Sequence, residues 1–354
     1  MVAAGTRNLI TDVVGILVGQ AEDRDAITGT TVILAETPAS AAVDVRGGAP
    51  GTRETDLLGA DALVDRVDAV VLSGGSAFGL DAAAGVVAWL AAAGRGFVVG
   101  APRAAAIRVP IVPAAILFDL GFPGRRPWSG EPPYRRLGHE AAASVGKEFA
   151  QGNAGAGLGA RAGQLKGGIG SASTVLRDGT TLGAIVAVNS WGSAVRPDCG
   201  RFWTAELARP GETDAQPPLP LTALDPNDFS GCKVELPAAA DPIANTTIAN
   251  TTIAVVATDA SLDKGGCRRL AIMAQDGLAR AIRPIHTPFD GDTVFALATG
   301  TGAPPAAADL LRYGSAAADC LTRAVMRALT KAEPLCEVPS WRQRWGAAPP
   351  RGAA

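Results

Sequence analysis

Short runs that are apolar at almost every position constrain this chain most. "GTTVILAET" (Gly29 to Thr37), "VDAVVLSGG" (Val67 to Gly75), "TLGAIVAVNS" (Thr181 to Ser190) and "TTIAVVATDA" (Thr251 to Ala260) are short and rich in Val, Ile and Thr, and read as strands. A strand with one wet face alternates apolar and polar residues, whereas these require cover on both faces. The cover is written between them. "SAFGLDAAAGVVAWLAAAG" from Ser76 and "YRRLGHEAAASVGKEFA" from Tyr134 are Ala-rich and free of proline. "SLDKGGCRRLAIMAQDGLARAI" opens with an N-cap at Ser261 and sets Leu270, Met273 and Leu278 along one face. The expectation is a layered α/β protein, built as one domain over residues 1–354.

One segment breaks this pattern. Pro210 to Pro242 packs seven prolines into a polar setting that cannot pair in a central strand, and reads as exposed and irregular. It leads into a tandem repeat: Asn245 to Ala249 is NTTIA, and Asn250 to Ala254 is NTTIA again. An exposed segment therefore feeds a Thr-led buried strand.

Several function classes recede on composition. With 32 basic and 34 acidic residues and no Lys/Arg run, neither a nucleic-acid nor a membrane-surface partner is indicated, and a small, roughly neutral substrate fits better. The five cysteines form no CxxC pair, which argues for a reducing compartment and against a zinc site. No basic leader precedes an apolar core at the start, and the uncharged run from Ala82 is too short to span a bilayer, so the expectation is a cytoplasmic, soluble protein. The two histidines, His139 and His286, lack ligand spacing; both read as structural, and no metal or cofactor is expected. "LSGGSAFGLDAAAG" has glycines between a strand and a helix but lacks the Lys-Ser/Thr of a phosphate loop, so Gly74 and Gly75 read as a tight turn lining a substrate cleft.

Threonine at a strand mouth has a specific chemical use. As a chain N-terminus it carries nucleophile and base together: Oγ attacks, and the α-amine, with an ordinary pKa near 8, takes the proton. The same hydroxyl can attack the carbonyl before it and so free its own amine. Asn-Thr-Thr is equally a plain loop entering a strand.

The motifs "NLITDVVGILVG", "VDVRGGAPGTRETDLL", "VVLSGGSAFGLDAAAG", "VPIVPAAILFDL", "GNAGAGLGA", "KGGIGSAS", "NTTIAVVATDA" and "RPIHTPFDGDTVFALATG" occur in that order along nearly the whole chain. Together they resemble the P1 family of self-cleaving aminopeptidases, which includes β-aminopeptidases, the L-aminopeptidase/D-esterase and the nylon-oligomer hydrolase. The resemblance implies an αββα sandwich similar to that of N-terminal-nucleophile hydrolases but with different connectivity. It also implies self-cleavage into an α chain (1–250) and a β chain (251–354), and a tetramer of αβ units. By the same resemblance the nucleophile is Thr251, at an Asn250-Thr251 cleavage site. Thr246, in the first copy of the repeat, would leave Asn250 inside the strand, where Asn is disfavoured, and the five-residue shift would exchange the strand's faces.

The resemblance assigns further residues. Asp290 and Asp292, at i and i+2 of an extended segment, flank the nucleophile, with Asp290 nearer Oγ. Asn189, at the end of its strand, is the side-chain donor to the developing oxyanion. The family's active-site Lys position is Gln164 here, with Lys166 two residues on and able to point the same way; its Tyr position is Phe118. The implied activity is hydrolysis of small peptides or linear amide oligomers through an acyl-enzyme. Restriction to β- or D-amino acid peptides, acyl transfer of the ornithine acetyltransferase type, and a non-catalytic scaffold are the alternatives.

Overall fold

The computed structural model describes residues 3–100, 107–220, 228–233 and 250–346. The first NTTIA copy, Thr246 included, and much of the Pro-rich segment lie outside them. Nine strands form one hydrogen-bonded sheet: β1 (Ile16–Asp23), β2 (Thr28–Val45), β3 (Thr52–Arg53), β4 (Arg66–Ser73), β5 (Ala114–Ile116), β6 (Gly168–Val175), β7 (Thr181–Asn189), β8 (Thr251–Thr258) and β9 (Thr293–Ala298). Their order is β6-β7-β8-β9-β2-β4-β5-β3, with β1 on the first half of β2. β8 lies antiparallel to β7 and parallel to β9.

β2 makes two layers from this one sheet. It is 18 residues long, and its pairing with β4 shifts register between Leu34 and Ala39. One half of the sheet faces the other across a core of Ile16, Val18, Ile33, Val70 and Leu72 against Ile185, Ile253, Val255, Phe295 and Leu297. Alternate residues of the same strands face outward. Val32, Leu34, Ala69 and Val71 meet helices α1 (Ala82–Ala92) and α2 (Tyr134–Ala143). Val186, Ala254, Val256 and Ala296 meet α3 (Lys264–Ala281) and α4 (Ala307–Lys331). The result is the expected αββα layering, and it explains the continuously apolar strands: each is covered on both faces. A one-residue slip of β8 would exchange Ile253 and Val255 with Ala254 and Val256, so its register is firmly specified.

Local differences from the sequence reading have local causes. Ser76–Asp81 is a 3-10 turn ahead of α1, because Gly75 enters it at φ +89° and Ser76 at +52°. α2 stops at Ala143, with residues beyond Ser144 non-helical. The cap of α3 is Asp263 rather than Ser261: its carboxylate accepts the Gly266 N–H at 2.7 Å. The described part of the Pro-rich segment is irregular, but it is half-buried as often as exposed and has two buried anchors, Glu212 and Cys232.

Candidate active site

β8 begins at Thr251, which is 3% exposed, and its cross-strand neighbour on β7 is Asn189. The Thr251 hydroxyl donates to the carbonyl oxygen of Asn250. That same oxygen accepts the Gly291 N–H at 3.0 Å, within an isolated bridge between Asn250 and Asp290. A side chain at position 291 would put Cβ 2.8 Å from Thr251 Oγ1 and 2.6 Å from the Ala49 carbonyl oxygen, so only glycine lets the turn come this close. From the other side the turn is held by the Arg46–Ala49 main chain: Ala49 N donates to Asp290 O at 2.8 Å and Arg46 N to Asp292 O at 2.9 Å.

The two carboxylates of this turn are fully buried and reach different strands. Asp290 Oδ1 accepts the Trp191 N–H, just beyond β7, at 3.0 Å, and Oδ2 accepts the Thr287 hydroxyl. Burial, reinforced by the charge of Asp292, pushes the Asp290 carboxyl up to about 6. Asp292 Oδ1 accepts the Thr252 N–H at 2.8 Å, and Oδ2 accepts both the His286 N–H and, in the tautomer protonated there, Nδ1–H at 2.9 Å. His286, read as structural, thus holds Asp292 from a left-handed backbone position (φ +55°). Among the described residues the Thr251 hydroxyl hydrogen-bonds Asn250 rather than either carboxylate.

Asn189 is 1% exposed, with both ends of its amide engaged. Oδ1 accepts the Arg161 N–H at 2.9 Å and Lys233 Nζ at 3.1 Å, and Nδ2 donates to the Phe118 carbonyl at 2.9 Å. Nothing in the sequence pointed to Lys233. It comes from the Pro-rich segment, tied down where Lys233 N donates to Trp191 O at 2.9 Å and Phe229 packs on Trp191.

Among the described residues, none of the others singled out in the sequence hydrogen-bonds the Thr251 side chain. Lys166 is fully buried, and its ammonium binds the carbonyls of Gly157, Ala160 and Gly167 at 2.8, 3.0 and 3.1 Å, holding a glycine-rich loop together. Gln164 donates to the Ser230 carbonyl and accepts from Arg344, pinning the Pro-rich segment. Phe118 contributes its carbonyl to Asn189. Gly74 and Gly75 surround the buried Asp119: Gly75 N–H donates to Oδ1 at 2.8 Å, and a Cβ at Gly74 would lie 2.0 Å from Oδ2. Among the described residues no group of three or more His, Cys, Asp or Glu side chains could hold a metal ion, and no helix is long and apolar enough to cross a membrane.

A hydroxyl set against a carbonyl that already takes a backbone N–H, with two buried carboxylates alongside, is equipment for acyl transfer. The model of peptidase family S58 matches residues 8–339. The chain belongs to this family. An S58 relative described as an uncharacterized aminopeptidase of Mycobacterium tuberculosis is 44% identical, covering 95% of this chain and 97% of that one. The 6-aminohexanoate-oligomer endohydrolase of a Kocuria species is 30% identical over 84% of this chain and 76% of its own. Among solved structures, the L-aminopeptidase D-Ala-esterase/amidase of Ochrobactrum anthropi, described as a variant of the Ntn hydrolase fold, superposes with a TM-score of 0.68 at 21% identity, covering 95% of this chain and 90% of that one. A Burkholderia β-aminopeptidase gives 0.66 at 23% identity, with 98% and 94% coverage. This S58 member is a hydrolase of peptide or amide bonds.

Proposed function

We propose that Thr251 is the nucleophile of an N-terminal-threonine amide hydrolase, activated by self-cleavage between Asn250 and Thr251. One observation carries this reading: the Thr251 hydroxyl lies on the Asn250 carbonyl oxygen, which the Gly291 N–H also holds. Oγ adds to the Asn250 carbonyl carbon, and the Gly291 N–H meets the charge that develops on its oxygen. Collapse breaks the C–N bond, the nitrogen takes the proton that Oγ gave up and leaves as the Thr251 α-amine, and Asn250 is held as an ester on Oγ. Water opens that ester, giving an Asn250 carboxylate and a free Thr251 amine and hydroxyl.

Turnover repeats the chemistry on a substrate amide. Oγ attacks, its proton passes to the amine, Asn189 Nδ2 donates to the oxyanion, and the leaving amine takes the proton before water releases the acyl group. Asp290 and Asp292 hold the turn and set the local charge. Carboxylates raise the amine's pKa, so activity rises with pH as the amine loses its proton. The substrates are small peptides or linear amide oligomers, for which the 6-aminohexanoate-oligomer relative is a chemical precedent. The reading extends to a cytoplasmic tetramer of αβ units, with the exposed apolar side chains of Phe97, Val98, Ile107 and Val109 supporting a contact surface between copies.

N-terminal sequencing of the smaller fragment tests the core of this reading and should give TTIAVV. A fragment starting TTIANTT would make Thr246 the nucleophile, and an intact chain that still hydrolyses amides would remove Thr251 from the chemistry.

A further inference from the structure

The oxyanion role given to Asn189 depends on which end of its amide faces the reacting carbonyl. The oxygen and nitrogen of an amide have nearly the same shape, so the choice is made by neighbours. The Arg161 N–H on Oδ1 and the Phe118 carbonyl, which takes one Nδ2 hydrogen at 2.9 Å, leave one lone pair of Oδ1 and one N–H of Nδ2 open, and the Lys233 ammonium takes the lone pair at 3.1 Å. The same ammonium lies 3.3 Å from the Asn189 main-chain oxygen, so it grips the residue at two points.

We infer that Lys233 is a positioning residue for hydrolysis: its ammonium locks Oδ1 of Asn189 inward, leaving Nδ2 as the end that donates to the oxyanion. This rests on the N-terminal-threonine reading above. A charged donor onto an amide oxygen is stronger than a neutral one, and it also polarises the amide, making Nδ2 a better donor at the moment charge develops. The lysine belongs to the segment that ends at the cleavage site. The stretch from which the nucleophile is cut therefore also supplies a support for catalysis after the cut.

The charged neighbours of Lys233 are Arg161, which repels its proton, and Asp290, which attracts it. Burial and Arg161 prevail, lowering the ammonium to about 7. Hydrolysis by the wild-type protein should therefore fall on the alkaline side as this proton is lost, and Lys233→Arg, which keeps its charge, should not show that fall.

The test measures kcat, KM and pH dependence on aminoacyl p-nitroanilides and a linear 6-aminohexanoate oligomer. It uses wild type, Lys233→Met, Lys233→Arg, Asn189→Ala and the double variant Lys233→Met/Asn189→Ala. Lys233→Met is expected to be processed, to lose tenfold or more in kcat and to keep KM within about threefold. Added to Asn189→Ala it should cost almost nothing further, because the residue it acts through is already gone. A processed Lys233→Met protein with wild-type kcat, or one whose loss multiplies fully with that of Asn189→Ala, overturns the inference. Should Lys233→Met remain uncleaved, Lys233→Arg decides: processing and hydrolysis without the alkaline fall support it, and loss of both overturns it. Failure of the underlying reading looks different, since Asn189→Ala would then be as active as wild type.

Discussion

Among the described residues two acid–lysine clusters, one fully buried and one with a half-buried lysine, differ in what their groups touch. Under the Gly74-Gly75 turn, Asp119 is pushed up to about 6 and Lys166 down to about 7, both chiefly by burial. At the mouth of β8, Asp290 is pushed up to about 6 and Lys233 down to about 7, again by burial first. In the first cluster every partner belongs to the frame: three carbonyls for Lys166, and the Thr28 hydroxyl and Gly75 N–H for Asp119. In the second, Asp290 adjoins Gly291, whose N–H lies on the Asn250 carbonyl, and Lys233 holds Asn189, the cross-strand neighbour of Thr251. A shifted pKa marks burial; a role in chemistry requires a reactive atom beside it.

The sharpest break of this comparison is Thr251→Ala, which should leave the first cluster untouched while abolishing both self-cleavage on a denaturing gel and amide hydrolysis. Thr251→Ser should keep some of each. Survival of hydrolysis in Thr251→Ala would strip the second cluster of its chemistry.

Lys166→Met is expected to cost about 3 kcal/mol or more in unfolding free energy, since three carbonyls of one loop lose a charged donor in a dry setting. Urea denaturation followed by circular dichroism reads this directly. An equal loss in Lys233→Met would erase the difference between the two lysines.

Asn189→Ala should lower kcat by about a hundredfold, equivalent to about 3 kcal/mol of transition-state stabilisation, with KM little changed. A change confined to KM would make Asn189 a ground-state substrate contact.

The smallest effect is on stability at the second cluster. Asp290 keeps its proton to about pH 6 when folded, against an ordinary 3.8. Its raised pKa favours the folded state below pH 4, and that advantage is lost as pH rises through 4 to 6. Asp290→Asn keeps the size and an acceptor for the Trp191 N–H while removing the charge. It should therefore be more stable than wild type at pH 7, by roughly 1 to 3 kcal/mol, and melt at a higher temperature, while hydrolysing more slowly. Scanning calorimetry at pH 4 and pH 7 checks the sign: the gap between variant and wild type should open on going to pH 7.

The layered fold was legible because continuously apolar strands have few ways to be covered. Thr251 and Asn189 were named from the family resemblance, each at a strand terminus, and the antiparallel pairing that makes them neighbours appears only in the structure. Lys166 was read as able to point the same way as the family's active-site Lys, and spacing could not show that its long side chain would reach three carbonyls beside it. Lys233 was missed because an irregular, proline-rich segment has no period from which to infer a face. Gly291 was missed as a donor because a backbone N–H leaves no trace in composition. It surfaces only where the close approach excludes a side chain.

The position of β8 in the sheet outlives any cut made before it. β8 is held between β7 and β9, and β9 in turn lies against β2, so pieces 1–250 and 251–354 alternate within one hydrogen-bonded sheet. Arg323 of the second piece is also buried against Glu212 of the first. A nicked molecule would stay assembled, yet the covalent instruction for reassembly would be gone. Once unfolded, its two chains would have to meet by diffusion, so recovery of the sheet becomes a second-order process that slows on dilution, while the uncut precursor folds at a rate independent of concentration.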